Sequence, residues 1–572
     1  MSKSAPTPEL RPEFAALETA APEVLIIGGG INGISILRDL SLQGVNTLLV
    51  EANDVVSGAS AASSHMIHGG IRYLENGEFR LVRESVQERN DLLKTAPHVV
   101  KPLLTTVPIH SYFSGILQAP LRMIRHGGGK RSERGAALIG IGLMIYESFS
   151  RQGGSMPRAR FRGRAASLRT LPSLNPSLKC TAAYYDASVH EPERLALDLI
   201  ADAKATGNAN IVTYARAAGT ADGGVVVEDA LTGARTVVRA RVVINASGPY
   251  TDLTNEALGR STQFMGGTKG SHIVVDHPAL YQELKGRELF FENSDGRIVL
   301  TYPVKGRVLI GTTDIFADPR EPVRCTEEEV DYFFDLVKHV LPGVHLDRSQ
   351  IVFRFAGIRP LPRQDVTQPG FVSRDYRIDD GTLPNAANIP LLSVVGGKWT
   401  TFRALGEHVS GDVLALLGRE RVRSTKGRAI GGGRDFPRSV PETHAWVAVH
   451  RGALSEARAS ALLQRYGTRA SEVINWIGAS ETPLATLPDY SVEEFGFLAR
   501  MEQAVHLDDI LLRRTTLAFA GLLSTERVAE IAAAVAVELG WSEEHRLEEV
   551  QRAWRILAEQ YGVHEQGSLL TQ

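Results

Sequence analysis

The side chains of this sequence best equipped for acid–base work on an anionic molecule stand among glycines. Four segments concentrate them: Ser57–Leu74, where His68 precedes Gly69-Gly70 and Arg72-Tyr73 follow; Thr268–His272, which holds Lys269; Phe355–Leu361, which holds Arg359; and Gly396–Arg403, which holds Lys398 and Thr400. A histidine so placed can take a hydroxyl proton. An arginine can hold a phosphate or an oxyanion through two parallel N–H bonds. Small neighbours let backbone amides approach a planar ligand. Each residue also has a plainer reading, as a packed histidine, a turn-capping arginine or a strand-end lysine. His272, just after a strand start, reads better as a structural group, and Asp314 in Gly311-Thr312-Thr313-Asp314 as a turn cap.

Something must bring these distant segments together, and the N-terminal region shows what it is. Val24-Leu25-Ile26-Ile27 is followed by Gly28-Gly29-Gly30-Ile31-Asn32-Gly33, an apolar-periodic helix, and Thr47-Leu48-Leu49-Val50-Glu51. Strand, glycine turn, helix, strand and terminal acid, in this order, form a dinucleotide-binding fingerprint. Gly28 permits the tight turn, Gly30 lets backbone N–H groups reach a pyrophosphate, and Gly33 lets the helix pack on the strand. The helix N-terminus then faces the phosphates, and Glu51 is placed for the ribose hydroxyls. Roughly two hundred residues later Val242-Val243-Ile244-Asn245-Ala246-Ser247-Gly248-Pro249 reads as a strand that returns to the same sheet. A sheet interrupted for that long favours FAD over NAD. The fold expected is therefore α/β: a two-dinucleotide-binding-domain, Rossmann-like FAD fold with an interleaved α+β substrate domain.

The composition is that of an ordinary globular protein: 572 residues, 43% hydrophobic, with a net charge of −2, which gives no sign of nucleic-acid binding. Cys180 and Cys325 match no metal or redox spacing and fit a reducing, cytoplasmic compartment. No apolar run is long enough to span a bilayer. Residues 1–22, rich in Ala, Pro and Glu, read as a disordered tail. Residues 23–425 carry the fingerprint and many β-branched runs, among them 211–214, 224–228, 242–244, 272–275 and 308–310. Residues 436–572 are nearly free of strand signals and read as a C-terminal helical domain, with Gly431-Gly432-Gly433 as a hinge before it.

In order and spacing these segments resemble the FAD-dependent glycerol-3-phosphate dehydrogenases. The family pattern GGGINGxG, SSxxIHGGxRYLE, ATGPW, KGSH, GTTD, GxRPL and GGKxTTxR stands here as Gly28–Gly33, Ser63–Glu75, Ala246–Tyr250, Lys269–His272, Gly311–Asp314, Gly357–Leu361 and Gly396–Arg403. Asp508–Thr515 (DDILLRRT) looks like the family's cap domain. The resemblance implies non-covalent FAD and oxidation of a small phosphorylated polyol, with hydride passing to flavin N5 and electrons to a membrane quinone. It implies His68 as base and Arg359 as catalytic anchor, with Arg72, Tyr73, Lys269 and Arg374 around the substrate phosphate. It places Gly28, Gly30, Gly33, Glu51, Ser63, Ser64, Gly69, Gly248, Gly397, Lys398 and Thr400 against the cofactor, with positive charge at Lys398 favouring the reduced ring.

The chain departs from that pattern in three places. His65 stands where lysine is usual. Val189–Leu195 is one residue longer than the usual VDDARL. The region 111–160 is extended, with Arg122, Arg125, Lys130, Arg131 and Arg134 before the apolar run 136–146. That last pairing fits either a peripheral contact on the inner face of the cytoplasmic membrane or a solvated loop before a buried helix. The departures leave room for a longer substrate such as erythritol phosphate. Oxygen in place of quinone, a non-catalytic sensor and an amino-acid oxidase are the competing readings. The retained His68, Arg359 and Lys398 speak against the sensor, and the phosphate-type motifs against the amino-acid oxidase. A homodimer is compatible with the size, and the sequence names no partner surface.

Overall fold

The structure is a computed structural model that describes residues 11–71, 78–112, 136–150, 156–292, 298–363, 375–386 and 388–565. Arg72, Tyr73 and Arg374, and the basic residues between 122 and 134, lie outside the described residues.

Val24–Ile27 is apolar without interruption and buried on both faces, as a central parallel strand must be. It lies between Thr47–Val50 and the returning Val242–Asn245, both parallel to it. The sheet is completed by Ala209–Val212 on one side and Pro390–Val395 on the other, with Arg377–Thr382 antiparallel at the edge. Val24–Ile27 and Val242–Asn245, neighbours in the sheet, are thus separated by a long insertion, as expected for the interleaved flavoprotein fold. The turn into helix Ile31–Leu42 needs glycine at two positions. Gly28 has φ +112°, and a Cβ there would lie 2.7 Å from the Ala246 carbonyl oxygen. A Cβ on Gly33 would lie 2.0 Å from the oxygen of Gly28.

The insertions build a second, larger, mostly antiparallel sheet. Val100–Ile109 pairs with Cys180–Val189 over ten residues, Met66–Ile67 adds to the outer side, and Thr268–Val275 pairs with both Arg307–Gly311 and Ile351–Arg359. Helix Glu327–Val340, started by a Thr326–Glu329 capping box, covers one face of this sheet. A three-stranded meander, Ala215–Ala221, Gly224–Asp229 and Arg235–Val238, packs beside the fingerprint sheet.

From Val440 onward the described chain is helical, and its core is continuous with the second sheet through Phe353 and Phe355. A buried ionic cluster also ties this domain to the fingerprint. Arg514 grips Asp54 with Nη1 and Nη2 at 2.5 and 2.9 Å, and Arg513 Nε reaches the same carboxylate at 2.5 Å. A single π-turn at Ile510–Arg514 turns both consecutive arginines inward. Arg194 pairs with Glu502, and the Tyr214 hydroxyl donates to Asp509 at 2.7 Å. Every charge in the cluster is compensated, the condition for burying charge without heavy cost. The cluster pins the loop just after Glu51.

Two expectations are corrected. Residues 11–22 are not a loose tail: Pro12–Ala15 is a helical turn, Phe14 and Leu17 are buried, and Arg11 bonds Asp229. Gly431-Gly432-Gly433 is no hinge. All three are buried, and a Cβ on Gly432 would lie 2.0 Å from the Tyr466 carbonyl oxygen, so these glycines let two backbones touch.

Candidate active site

Two cavities meet at a wall they share, formed by Ala59, Pro360, Gly397, Lys398 and Trp399. The first, about 710 Å³, is the fingerprint cavity. Gly28, Gly30, Asn32, Glu51 and Gly248 line it, and the meander closes it with Ala215–Ala218 and Arg235. Glu51 accepts N–H bonds from Gly29 at 2.6 Å and Asn53 at 2.9 Å, while burial pushes its carboxyl pKa up. Asn32 Oδ1 is buried and has no hydrogen-bond partner. At Gly30 a Cβ would meet only Ser60 Oγ, at 3.3 Å, so the space it faces is the cavity itself. An elongated dinucleotide lying across a helix N-terminus fits these features: an open cradle, an unsatisfied acceptor, and a carboxylate at the far strand end.

The second cavity, about 240 Å³, gathers the chemistry-bearing segments. His68, Arg359, Lys398, Thr400, Ser63 and Ser64 all line it. His68 follows the short strand Met66–Ile67, which pairs with Ala187 and Ser188. Its carbonyl accepts from Thr400 Oγ1 at 3.0 Å. The next amide, Gly69 N–H, donates to Asp186 at 3.0 Å and to the Tyr146 hydroxyl oxygen at 3.1 Å. A Cβ on Gly69 would collide with that hydroxyl at 2.2 Å. The His68 backbone is therefore held from both sides.

Arg359 ends strand Ile351–Arg359. Its Nη1 donates to Asp314 at 2.7 Å, and its Nη2 donates to the Thr313 carbonyl at 2.7 Å and to Thr312 Oγ1 at 3.0 Å. Asp314, read as a turn cap, is thus the group that aims this guanidinium. Lys398 Nζ bonds Ser85 Oγ at 2.6 Å, and Trp399 Nε1 donates to the Ser60 carbonyl at 3.0 Å, locking the loop between the two cavities.

His272 is in the cavity wall as well. It is buried, stacked on Phe355 with ring centroids 4.8 Å apart, and its Nε2 shares a 2.8 Å hydrogen bond with Ser64 Oγ. Burial, then the charge of Arg359, hold its pKa well below the ordinary histidine value. It is a neutral member of the wall. His65, where lysine was expected, is buried against Phe519 and pulled down to about 3, chiefly by burial.

Lys269 is the clear correction. Along Thr268–Val275 side chains alternate: Gly270 and His272 face the cavity, while Lys269 and Ser271 face away. Lys269 Nζ donates to Glu329 and to the Arg324 carbonyl, both at 2.8 Å, and Ser271 and Thr313 bond the same carboxylate. It is a buried structural ion pair, not a phosphate ligand. Lys269→Ala leaves Glu329 buried without its counter-charge and is expected to destabilise by about 3–5 kcal/mol. Thermal unfolding checks this, and a fall in substrate affinity with unchanged stability would restore the binding reading.

The sequence reading missed Asp186. It lines the cavity and organises a buried cluster with Arg89 Nη1 at 2.9 Å and the Tyr146 hydroxyl at 2.8 Å. The available signal was an acid inside the otherwise uncharged strand Cys180–Val189.

Residues 23–377 match the FAD dependent oxidoreductase family, and residues 423–546 match the C-terminal domain of alpha-glycerophosphate oxidase. A glycerol-3-phosphate dehydrogenase of Synechocystis sp. is 31% identical over 94% of this chain and 97% of its own length. The chain belongs to the FAD-dependent glycerol-3-phosphate dehydrogenase family. A D-erythritol 1-phosphate dehydrogenase of Brucella abortus is also 31% identical, over 86% of this chain and 94% of its own. The glycerol-3-phosphate dehydrogenase of Bacillus halodurans, solved with FAD, shares the fold at TM-score 0.70 and 24% identity, covering 95% of this chain and 96% of that one. As a member of the glycerol-3-phosphate dehydrogenase family this chain is an oxidoreductase whose cofactor is FAD.

Proposed function

We propose that this member of the family oxidises sn-glycerol 3-phosphate to dihydroxyacetone phosphate and delivers the electrons to a membrane quinone. One observation carries the reading: His68, Arg359 and Lys398, from three distant segments, line a single cavity that shares a wall with the fingerprint cavity. The fingerprint residues would hold FAD, which would supply the hydride acceptor. His68 takes the proton of the secondary hydroxyl. Arg359, held by Asp314 and the Thr312-Thr313 pair, anchors the substrate's phosphate or developing oxyanion. Lys398 brings positive charge to the cofactor side of the same cavity, and the apolar lining from Met66, Phe290, Leu300 and Ile358 keeps water out.

Anaerobic titration of the yellow enzyme tests the substrate. Glycerol 3-phosphate is expected to bleach the flavin faster, and at lower concentration, than D-erythritol 1-phosphate. The reverse order would favour the second reading, a dehydrogenase of a longer polyol phosphate, which the Brucella abortus relative supports. Reoxidation by a short-chain quinone should outpace reoxidation by oxygen, and stoichiometric peroxide would mark an oxidase instead. Arg359→Ala removes a charge-assisted anchor worth about 1.5–3 kcal/mol. The expected loss in kcat/KM is therefore about 10- to 100-fold, felt in both KM and the bleaching rate. Wild-type kinetics would remove Arg359 from the site.

A peripheral membrane position belongs to the same proposal. No helix among the described residues is long and apolar enough to cross a bilayer. Helix Ala136–Ser150 buries Leu143 and Tyr146, yet leaves Ile141 48% and Met144 66% exposed, close to the exposed Phe161. Exposed apolar side chains on one helix face are what an interfacial contact would bury.

A further inference from the structure

Behind the reaction cavity, on the opposite face of the same sheet, lies another pocket of about 210 Å³. Strand alternation creates it. On Cys180–Val189, Tyr184 and Asp186 face the reaction cavity, while Ala183 and Tyr185 face the pocket behind. On Arg287–Glu292, Phe290 points forward and Arg287 backward. The edge strand Arg160–Gly163 adds Arg160 and Arg162 to the pocket and turns Phe161 the other way, against Gly140. Arg158 completes the set.

Four arginines thus line one pocket, and among the described residues its wall holds no carboxylate and none of the four forms an ion pair. Arg162 donates to Thr170 Oγ1 at 2.9 Å. Nη1 of Arg287 is buried and has no acceptor. Burial, then the charge of Arg162, pull the Arg287 pKa below its ordinary value. Like charges gathered without a counter-ion repel, and a buried donor without an acceptor is rare in folded proteins. An oxyanion relieves both conditions at once. Planar forks suit the three oxygens of a phosphate, and the Tyr185 hydroxyl gives it a further donor.

We propose that this arginine pocket is a second phosphate-binding site, separated from the substrate's by one sheet. The phosphate belongs either to a soluble phosphate ester or to a lipid headgroup, since Phe161, between Arg160 and Arg162 on the edge strand, is exposed. The site stands whatever polyol is oxidised in front of the sheet.

The test uses the FAD-loaded enzyme with inorganic phosphate as probe in equilibrium dialysis, and sedimentation with vesicles of phosphatidylcholine alone or mixed with phosphatidylglycerol. Arg287→Gln is compared with Arg160→Gln, whose exposed side chain carries no part of the fold. Loss of one charge-assisted bond should weaken phosphate binding roughly tenfold or more in each variant, with flavin bleaching by glycerol 3-phosphate unchanged. If the occupant is a headgroup, both variants also lose sedimentation with the phosphatidylglycerol vesicles. If it is a soluble ester, vesicle binding is the same in all three proteins. Phosphate and vesicle binding that do not differ between the wild type and either variant, including a wild type that binds neither, overturn the proposal. Bleaching by glycerol 3-phosphate in that same protein would leave the catalytic reading intact.

Discussion

Gly30→Val is expected to give a folded protein that elutes colourless. The position is suited to the test because the substitution is benign to the chain itself. Gly30 has φ −76° and ψ 173°, backbone that any residue adopts, and the nearest atom to an added Cβ is Ser60 Oγ at 3.3 Å. Gly28 and Gly33 do not offer this separation. A side chain at Gly28 meets backbone at 2.7 Å with φ +112°, and one at Gly33 meets backbone at 2.0 Å, so loss of colour there would report misfolding. At Gly30 the isopropyl group occupies cavity space at the helix N-terminus, where backbone N–H groups receive a pyrophosphate. Losing two charge-assisted hydrogen bonds of about 1.5–3 kcal/mol each weakens FAD binding by roughly 10²- to 10⁴-fold. Gel filtration with flavin absorbance, alongside far-UV circular dichroism, reads both halves of the expectation. A yellow Gly30→Val enzyme with wild-type FAD affinity would place the cofactor elsewhere.

His68→Ala is expected to keep its FAD and to slow flavin reduction by glycerol 3-phosphate by about 10²- to 10⁴-fold, the range for losing a general base. The segment should survive the change because its backbone is held by bonds of its own. Thr400 bonds the His68 carbonyl, while Asp186 and Tyr146 bond the Gly69 amide. Among the described residues of the cavity wall the competing histidine is His272. Its Nε2 is engaged with Ser64, and its surroundings disfavour the protonated ring, so it is a weak acceptor for a hydroxyl proton. Stopped-flow bleaching over a range of pH separates the two. His68→Ala should remove the limb of the profile that reports the base, whereas His272→Gln should leave that limb in place. Unchanged bleaching in His68→Ala would take the residue out of the chemistry.

The fingerprint was legible because each of its parts is a local rule. An unbroken apolar strand, glycines at fixed offsets and an acid at the next strand end leave few alternatives, and the structure has all of them in place. The returning strand Val242–Asn245 was legible for the same reason, since it ends in a turn of small residues that can come close to a ligand. Asp186 was harder to weigh, because its partners Arg89, Tyr146 and Gly69 stand 97, 40 and 117 residues away. The Asp54 clamp was out of reach too, as its two arginines lie more than 450 residues along the chain.

The sequence by itself determined the cofactor, the fold class and the set of cationic residues from which a phosphate site could be drawn. Tertiary structure alone decided which of them face the reaction cavity. Arg359 and Lys398 do. Lys269, one position from the cavity-lining Gly270, points to Glu329, while Arg158, Arg160, Arg162 and Arg287 gather behind the sheet. In a strand a step of one residue reverses the face. Which face is the cavity depends on the register of strands and the helix that arrive from far along the chain, and no local pattern records that.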